Sequence, residues 1–340
     1  MNKKVAIGIN GFGRIGASIL RAIFERDSDL EIAKINDLTE TRILAALLRN
    51  DSVKGRFPGE VEFEQDALLV NGKRIPVSSE RDPARLDWSA CGERAVVVES
   101  TGVFRSQQQC MKHVQAGAER VVLTVPPSGD VDFMAVVGVN DDKLTSDHKI
   151  ISNASCTTNS IGVPLRVLNE ALGVKAGLLT TVHSATNDQN VCDAVHEDLR
   201  RARSVLGNLI PTTTGAAKAI GKVIDGLDDL NGGAIRTPTL DGSVSVLDLL
   251  MKKSVTAEQV NKALKDAATN DYPSIMAVVD HELDEIVSSD IVGRSESAII
   301  DTQRTMVVAG ELVQLYSWYD NEWGYSNRCV DLLEQFATWK

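Results

Sequence analysis

Val5-Ala6-Ile7-Gly8-Ile9-Asn10-Gly11-Phe12-Gly13-Arg14-Ile15-Gly16 decides the fold. Val5 to Ile9 is apolar and β-branched, which reads as a buried strand. It runs straight into a G-x-G-x-x-G turn at Gly11, Gly13 and Gly16. Ile15, Ile19, Leu20, Ile23 and Phe24 then recur at helical spacing. Glu31 to Asn36 reads as a second strand, closed by Asp37, an acid about 20 residues beyond the glycines. Glycines here permit a tight turn and close approach of a pyrophosphate, and the acid accepts from ribose hydroxyls. A bare G-x-G-x-x-G is often only a tight strand-to-helix turn. The full order of strand, glycines, helix, strand and acid favours dinucleotide binding. Asp37 repels a 2′-phosphate, so NAD is expected, with NADP a minor alternative.

The alternation continues outward. Ala95 to Ser100 reads as a strand, followed by Thr101-Gly102 and a helix from Ser106 to Ala116. Val121 to Thr124 is another strand, closed by Pro126-Pro127. Such alternation predicts a doubly wound parallel sheet with ligands at the carboxyl ends of its strands. Thr101, Gly102 and Thr124 fall at such ends, although alone they are ordinary loop residues. Glu60 to Pro76 reads as a short hairpin turning at Asn71-Gly72.

With 340 residues, the chain suits two domains of ordinary size. Its formal net charge of −11 disfavours nonspecific nucleic-acid or anionic-membrane binding. No apolar run is long enough to span a bilayer. Met1-Asn2-Lys3-Lys4 is a basic start, but the run after it holds Gly8 and Asn10 and ends in the glycine turn, unlike a signal peptide. The five cysteines, Cys91, Cys110, Cys156, Cys192 and Cys329, are scattered and lack CxxC spacing. A reducing cytoplasm and no metal site are therefore expected.

In the second half, Lys149 to Ile151 reads as a strand that hands over to a helical pattern beginning near Ile161, with Pro164 as a kink or a displaced start. Between them lies Asn153-Ala154-Ser155-Cys156-Thr157-Thr158-Asn159. A helix N-terminus offers unpaired N–H groups and partial positive charge, which favour a thiolate. A free cysteine is commonly a small core residue, but polar flanks argue otherwise here. Leu178 to Val182 is a strand delivering His183, with Ser184-Ala185-Thr186-Asn187-Asp188 directly after it. Cysteine with histidine is a nucleophile–base arrangement. His113, His148, His196 and His281 read as bland. The basic run Asp198 to Arg203 fits a solvated face or subunit contact as well as a substrate site. Pro211 to Lys218 places three threonines before Gly215 at a helix start, an anion nest. Arg236 sits at a strand end, where a guanidinium can grip phosphate. Gly242 to Leu250 and Thr305 to Tyr319, with Gly310 at a turn, read as antiparallel strands, and Ala257 to Ala268 and Tyr325 to Lys340 as helices.

These motifs resemble the phosphorylating glyceraldehyde-3-phosphate dehydrogenase family: Asn10 to Gly16, Ala154 to Asn159, His183 in Thr-Val-His-Ser, Thr186 to Gln189, Pro211 to Lys218, and Trp318 to Tyr325. The likeness runs in order along nearly the whole chain. It implies a Rossmann-type domain of residues 1–155 and 321–340, and an α+β catalytic domain of residues 156–320 with a mainly antiparallel sheet. It implies a Cys156 thiohemiacetal and thioester, with His183 as general base and ion-pair partner. Thr186 and Arg236 would hold the phosphate of glyceraldehyde 3-phosphate. Ser155, Thr157, Thr214 and Gly215 would hold inorganic phosphate. Besides Gly11, Gly13 and Gly16, the matching NAD positions are Arg14, Ile15, Asp37, Arg81, Thr124 and Asn321. A cytoplasmic homotetramer is implied, with no nucleic-acid or membrane partner. Departures are Ala17 for a common arginine, Ala185 for a tyrosine, and Ala194-Val195 for a leucine–proline pair. The alternatives are an erythrose-4-phosphate dehydrogenase and a catalytically idle binding protein. Thr186-Asn187-Asp188 and Thr214 to Lys218 favour the glyceraldehyde-3-phosphate reading over the erythrose-4-phosphate one. Intact Cys156, His183 and Arg236, with the acidic net charge, disfavour the idle protein.

Overall fold

The computed structural model describes residues 5–92, 94–281 and 285–339. The basic start at residues 1–4 lies outside them. Two compact units divide the chain. The first takes the chain through Ala135, then Lys143–Ala154, and then the chain from Ser326 onward. The second takes Val136–Asp142 and Ser155–Tyr325.

In the first unit Ala6–Asn10 lies at the middle of a nine-stranded sheet. Glu31–Asn36 and Val96–Glu99 flank it, both parallel to it. Arg120–Leu123, Ile150–Ser152 and Phe133–Met134 continue the sheet in parallel on one side. The sequence reading of a doubly wound parallel sheet is borne out. Ile7 and Ile9 are fully buried, as expected for a strand covered on both faces. Each such side chain contributes about 1.5–3 kcal/mol by leaving water. Beyond Glu31–Asn36 the sheet gains one more parallel strand and then turns antiparallel. Lys73–Ser78 pairs with it in parallel, then Ala67–Val70 and Val61–Glu64 follow as a meander. The expected hairpin is thus a three-stranded ribbon. Its turn is at Asn71-Gly72, both with positive φ (51° and 76°), as a two-residue type I′ turn requires. The helix Gln107–Gln115 starts at a capping box between Ser106 and Gln109.

The last helix, Trp323–Thr338, contributes its final turns to the first unit. Phe336 is buried there, and the Arg120 guanidinium lies 6.0 Å from its ring centroid. Arg26 donates to Asp331 and Glu334 on the same helix.

The second unit holds an eight-stranded sheet. Val174–Ser184, Ser243–Met251 and Leu312–Tyr319 form its antiparallel centre. Leu230–Thr237 runs parallel to Val174–Ser184, and Ile210–Thr213 closes that side. The helices Cys156–Ala171, Ala216–Val223 and Ala257–Asn270 pack together on this unit. Met306–Val308 and Leu312–Tyr319 turn at Ala309-Gly310.

Residues 136–142, Ser155 and residues 321–325, expected in the first domain, cluster with the second unit. Packing explains this. A Cβ on Gly162 would lie 3.0 Å from both Val136 and Val139, so that segment lies against the Cys156 helix. Asn321 is held by hydroxyls of Ser184 and Ser243, both of the second unit.

The helix begins at Cys156, five positions before the sequence expectation, and runs through Pro164 without a break. Proline has no N–H for the carbonyl four residues back. The Ser317 hydroxyl donates to the Ser160 carbonyl at 2.8 Å instead, so the freed acceptor is satisfied.

Candidate active site

The glycine turn builds a cradle in the first unit. Gly11 has φ +90°, and a Cβ there would sit 2.7 Å from the Thr101 nitrogen. A Cβ on Gly16 would sit 2.3 Å from the Gly11 carbonyl oxygen. Both glycines are forced by close backbone packing. Gly13 is different, because among the described residues a Cβ there meets nothing within 4 Å. It is the N-cap of Arg14–Glu25 and gives that helix no side-chain cap. Bare space over an uncapped helix start suits a pyrophosphate. Asp37 closes the neighbouring strand. Its Oδ2 accepts the Phe12 N–H at 2.7 Å and its Oδ1 the Thr39 N–H at 2.9 Å, which fixes the carboxylate beside the turn. These residues fit a dinucleotide. Arg14 pairs with Asp51, Ile15 is half-buried on the first turn, and Arg81 is exposed beyond Lys73–Ser78. Thr124 is buried, with its N–H and hydroxyl both donating to the Glu99 carbonyl.

In the second unit Ser155 is the N-cap and Cys156 the first residue of a 16-residue helix. The Ser155 hydroxyl accepts the Thr158 N–H at 3.1 Å. Ala154, just before, has φ 54°, a left-handed conformation unusual for alanine. His183 arrives near the end of Val174–Ser184, and its Nε2 lies 3.4 Å from the Cys156 Sγ. Its Nδ1 lies 2.8 Å from the Ser184 carbonyl oxygen. Nδ1 faces both this carbonyl, which calls for a hydrogen on it, and the Arg236 guanidinium, which calls for a lone pair. The tautomer that keeps the Ser184 bond leaves Nε2 facing the sulfur as acceptor. Tyr319 braces both partners. Its ring meets His183 edge-on at 6.0 Å, and its hydroxyl lies 2.9 Å from the Thr157 hydroxyl and 2.8 Å from that of Thr181.

Desolvation of the sulfur pushes the Cys156 thiol up, opposed by the Arg236 charge and by hydrogen bonds from Thr157. Burial and then the Arg236 charge push His183 down to about 3. Each charge alone is thus disfavoured. At 3.4 Å the two groups are close enough for a proton to pass between them. Moving the proton from Sγ to Nε2 turns two neutral groups into mutual counterions.

Arg236 lies opposite His183 in the parallel register of two strands. Its Nη1 is 3.0 Å from His183 Nδ1 and 3.4 Å from the Thr186 hydroxyl. Gln189 accepts both the N–H and the hydroxyl of Thr186, which orients it. Cys156, His183, Arg236 and Thr186 are therefore brought together. Thr214 and Gly215 lie at the start of Ala216–Val223, where the Thr214 hydroxyl accepts the Ala216 N–H at 3.2 Å. Asn321 accepts hydroxyl hydrogens from Ser184 and Ser243 at 2.7 Å each through Oδ1. The Asp198 to Arg203 run is tied down locally. Arg201 pairs with Asp188 and bonds the Thr212 hydroxyl, and Arg203 pairs with Asp193.

Sequence reasoning missed Tyr319 as a brace, although the signal was present. Val313, Leu315, Ser317 and Tyr319 share one inward parity along Leu312–Tyr319. It also missed the Ser184–Asn321–Ser243 clasp, which joins residues distant in sequence.

Two family models match the chain. Residues 5–107 match the NAD binding domain of glyceraldehyde 3-phosphate dehydrogenase, and residues 155–321 match its C-terminal domain. Glyceraldehyde-3-phosphate dehydrogenase of Priestia megaterium is 49% identical over 98% of both chains. That of Thermotoga maritima is 50% identical over 96% of this chain and 98% of its own. That of Streptomyces coelicolor is 46% identical over 96% and 97%. With motif order, site geometry and full-length similarity in agreement, the chain belongs to the glyceraldehyde 3-phosphate dehydrogenase family.

Proposed function

We propose that the protein catalyses the reversible, NAD-dependent oxidation and phosphorylation of glyceraldehyde 3-phosphate to 1,3-bisphosphoglycerate. The observation that carries this reading is the 3.4 Å approach of Cys156 Sγ to His183 Nε2, with Arg236 directly behind the imidazole. Gly11, Gly13, Arg14, Ile15, Gly16, Asp37, Arg81, Thr124 and Asn321 would hold the dinucleotide, which supplies a hydride acceptor when bound.

Cys156 Sγ attacks the aldehyde carbon while its proton passes to His183 Nε2. His183 hands that proton to the oxyanion, which completes the thiohemiacetal, and takes it up again from the hydroxyl as a hydride leaves the carbon and the thioester forms. A phosphate oxygen then attacks the thioester carbonyl. The C–S bond breaks, the acyl phosphate leaves and the sulfur returns to its pair with His183. Arg236 and Thr186 hold the substrate's own phosphate. Ser155, Thr157, Thr214 and Gly215 hold the attacking one. Ser155 and Thr157 lie at the helix start, and Thr214 and Gly215 at a second one.

We also infer a homotetramer in the cytoplasm. Val195, Leu199, Leu206 and Leu209 are 101%, 84%, 65% and 68% exposed in one loop region, an apolar surface that a second copy would cover. Five free cysteines suit a reducing compartment. Initial rates of NADH formation with glyceraldehyde 3-phosphate and with erythrose 4-phosphate, with and without phosphate, test the proposal. Faster turnover of the four-carbon sugar would select the alternative substrate, and no NADH from either would reject the enzyme.

A further inference from the structure

A second buried polar chain in the first unit takes no part in the reaction above. Glu99 ends the strand Val96–Glu99 and is fully buried, as is His113. Glu99 Oε2 accepts from Asn10 Nδ2 at 2.6 Å and from His113 Nε2 at 2.9 Å. Its Oε1 accepts the Thr101 N–H at 2.9 Å and also the Thr101 hydroxyl. Trp88 Nε1–H donates to His113 Nδ1 at 3.0 Å. Nδ1 is thus the acceptor, and Nε2 carries the hydrogen that Glu99 receives. On the other side Asn10 Oδ1 accepts from Asn36 Nδ2 at 2.8 Å. Asn36 Oδ1 accepts from the Ser78 hydroxyl and the Glu80 N–H, both at 2.9 Å. Donor and acceptor directions are therefore fixed from Trp88 to Glu80.

The chain crosses the carboxyl ends of four adjacent strands. Those ends carry the groups of the dinucleotide cradle. Gly11 follows Asn10, Asp37 follows Asn36, and the Thr101 turn follows Glu99. Gly11 also rests directly on that turn, since a Cβ on it would meet the Thr101 nitrogen at 2.7 Å. Holding a sheet together does not require a buried carboxylate, which is costly to desolvate and costlier if left half-bonded. A satisfied network, by contrast, fixes one arrangement of the backbone around it.

We propose that Glu99 is a positioning residue of the dinucleotide site. Four hydrogen bonds to one carboxylate lock the Thr101 turn against the glycine turn, and through Asn10 and Asn36 against the strand that presents Asp37. NAD then meets a cradle already set, and little binding energy is lost to ordering it. This inference rests on the dinucleotide reading of the first unit.

The test is NAD affinity, measured by calorimetric titration of the purified full chain, alongside the melting temperature of the cofactor-free protein. Glu99→Gln keeps the size but turns one acceptor into a donor, which must face another donor. The dissociation constant for NAD is expected to rise about tenfold or more, while kcat at saturating NAD falls less than about threefold. His113→Gln keeps a donor for Glu99 and an acceptor for Trp88, and His113→Leu keeps neither. The leucine variant is expected to weaken NAD binding about tenfold and the glutamine variant by a few-fold at most. Wild-type affinity in Glu99→Gln would overturn the inference. So would two His113 variants that melt lower yet bind NAD equally well. Absence of NAD binding by the wild type would instead bring down the dinucleotide reading, and the inference with it.

Discussion

Arg236 Nη1 lies 3.0 Å from the same His183 nitrogen that sits 2.8 Å from the Ser184 carbonyl. One ring nitrogen thus has an acceptor and a guanidinium beside it. Arg236 Nε, meanwhile, is buried and has no hydrogen-bond partner among the described residues. A phosphate oxygen would satisfy that donor and draw the guanidinium off the ring. Arg236→Ala should raise the Michaelis constant for glyceraldehyde 3-phosphate by about tenfold or more, the worth of a charge-assisted hydrogen bond. Steady-state kinetics check it. An unaltered constant would place the substrate phosphate elsewhere.

Cys156→Ser keeps the helix start and the neighbouring hydroxyls but replaces the proposed nucleophile. Turnover should fall by about three orders of magnitude or more, as when a covalent nucleophile is removed. NAD affinity should stay near the wild-type value. Retained turnover would remove Cys156 from its role.

His183→Asn isolates the electrostatics of the pair. Desolvation already pushes the Cys156 thiol up, and in the proposed mechanism His183, 3.4 Å away, accepts its proton. Without the imidazole the raised thiol releases its proton only at higher pH. Alkylation of Cys156 by iodoacetamide should slow about tenfold or more at pH 7 and recover as the pH rises. The exposed Cys192 provides an internal reference thiol. Activity should fall about 10²–10⁴-fold, the usual contribution of a general base.

Asp37→Ala removes the charge that opposes a 2′-phosphate and also the acceptor of the Phe12 N–H. The ratio of kcat/KM for NADP over NAD should rise about tenfold or more. NAD affinity should weaken through the loosened turn. An unchanged ratio would contradict the ribose assignment.

Much of this site was legible in the sequence because its signals are local. The glycine turn with Asp37 is a short contiguous pattern. So is Ser155-Cys156 between a strand and a helix. The start of the Cys156 helix was not legible, because Pro164 argues against a helix that early. Only Ser317, more than a hundred residues away, supplies the hydrogen bond that lets it continue. Glu99 and His113 were equally opaque. Each looks like an ordinary element residue, and the network they form becomes visible only when Trp88, Asn10 and Asn36 are brought alongside. The three-stranded ribbon read as a hairpin because Asn71-Gly72 is a strong turn signal and the turn before it is weak.

The most direct test of the central claim is rapid mixing of the NAD-loaded protein with glyceraldehyde 3-phosphate in the absence of phosphate. A burst of NADH stoichiometric with Cys156 is expected, followed by a slow phase that added phosphate converts to steady turnover. NADH formation without a burst, or turnover indifferent to phosphate, would contradict a thioester on Cys156.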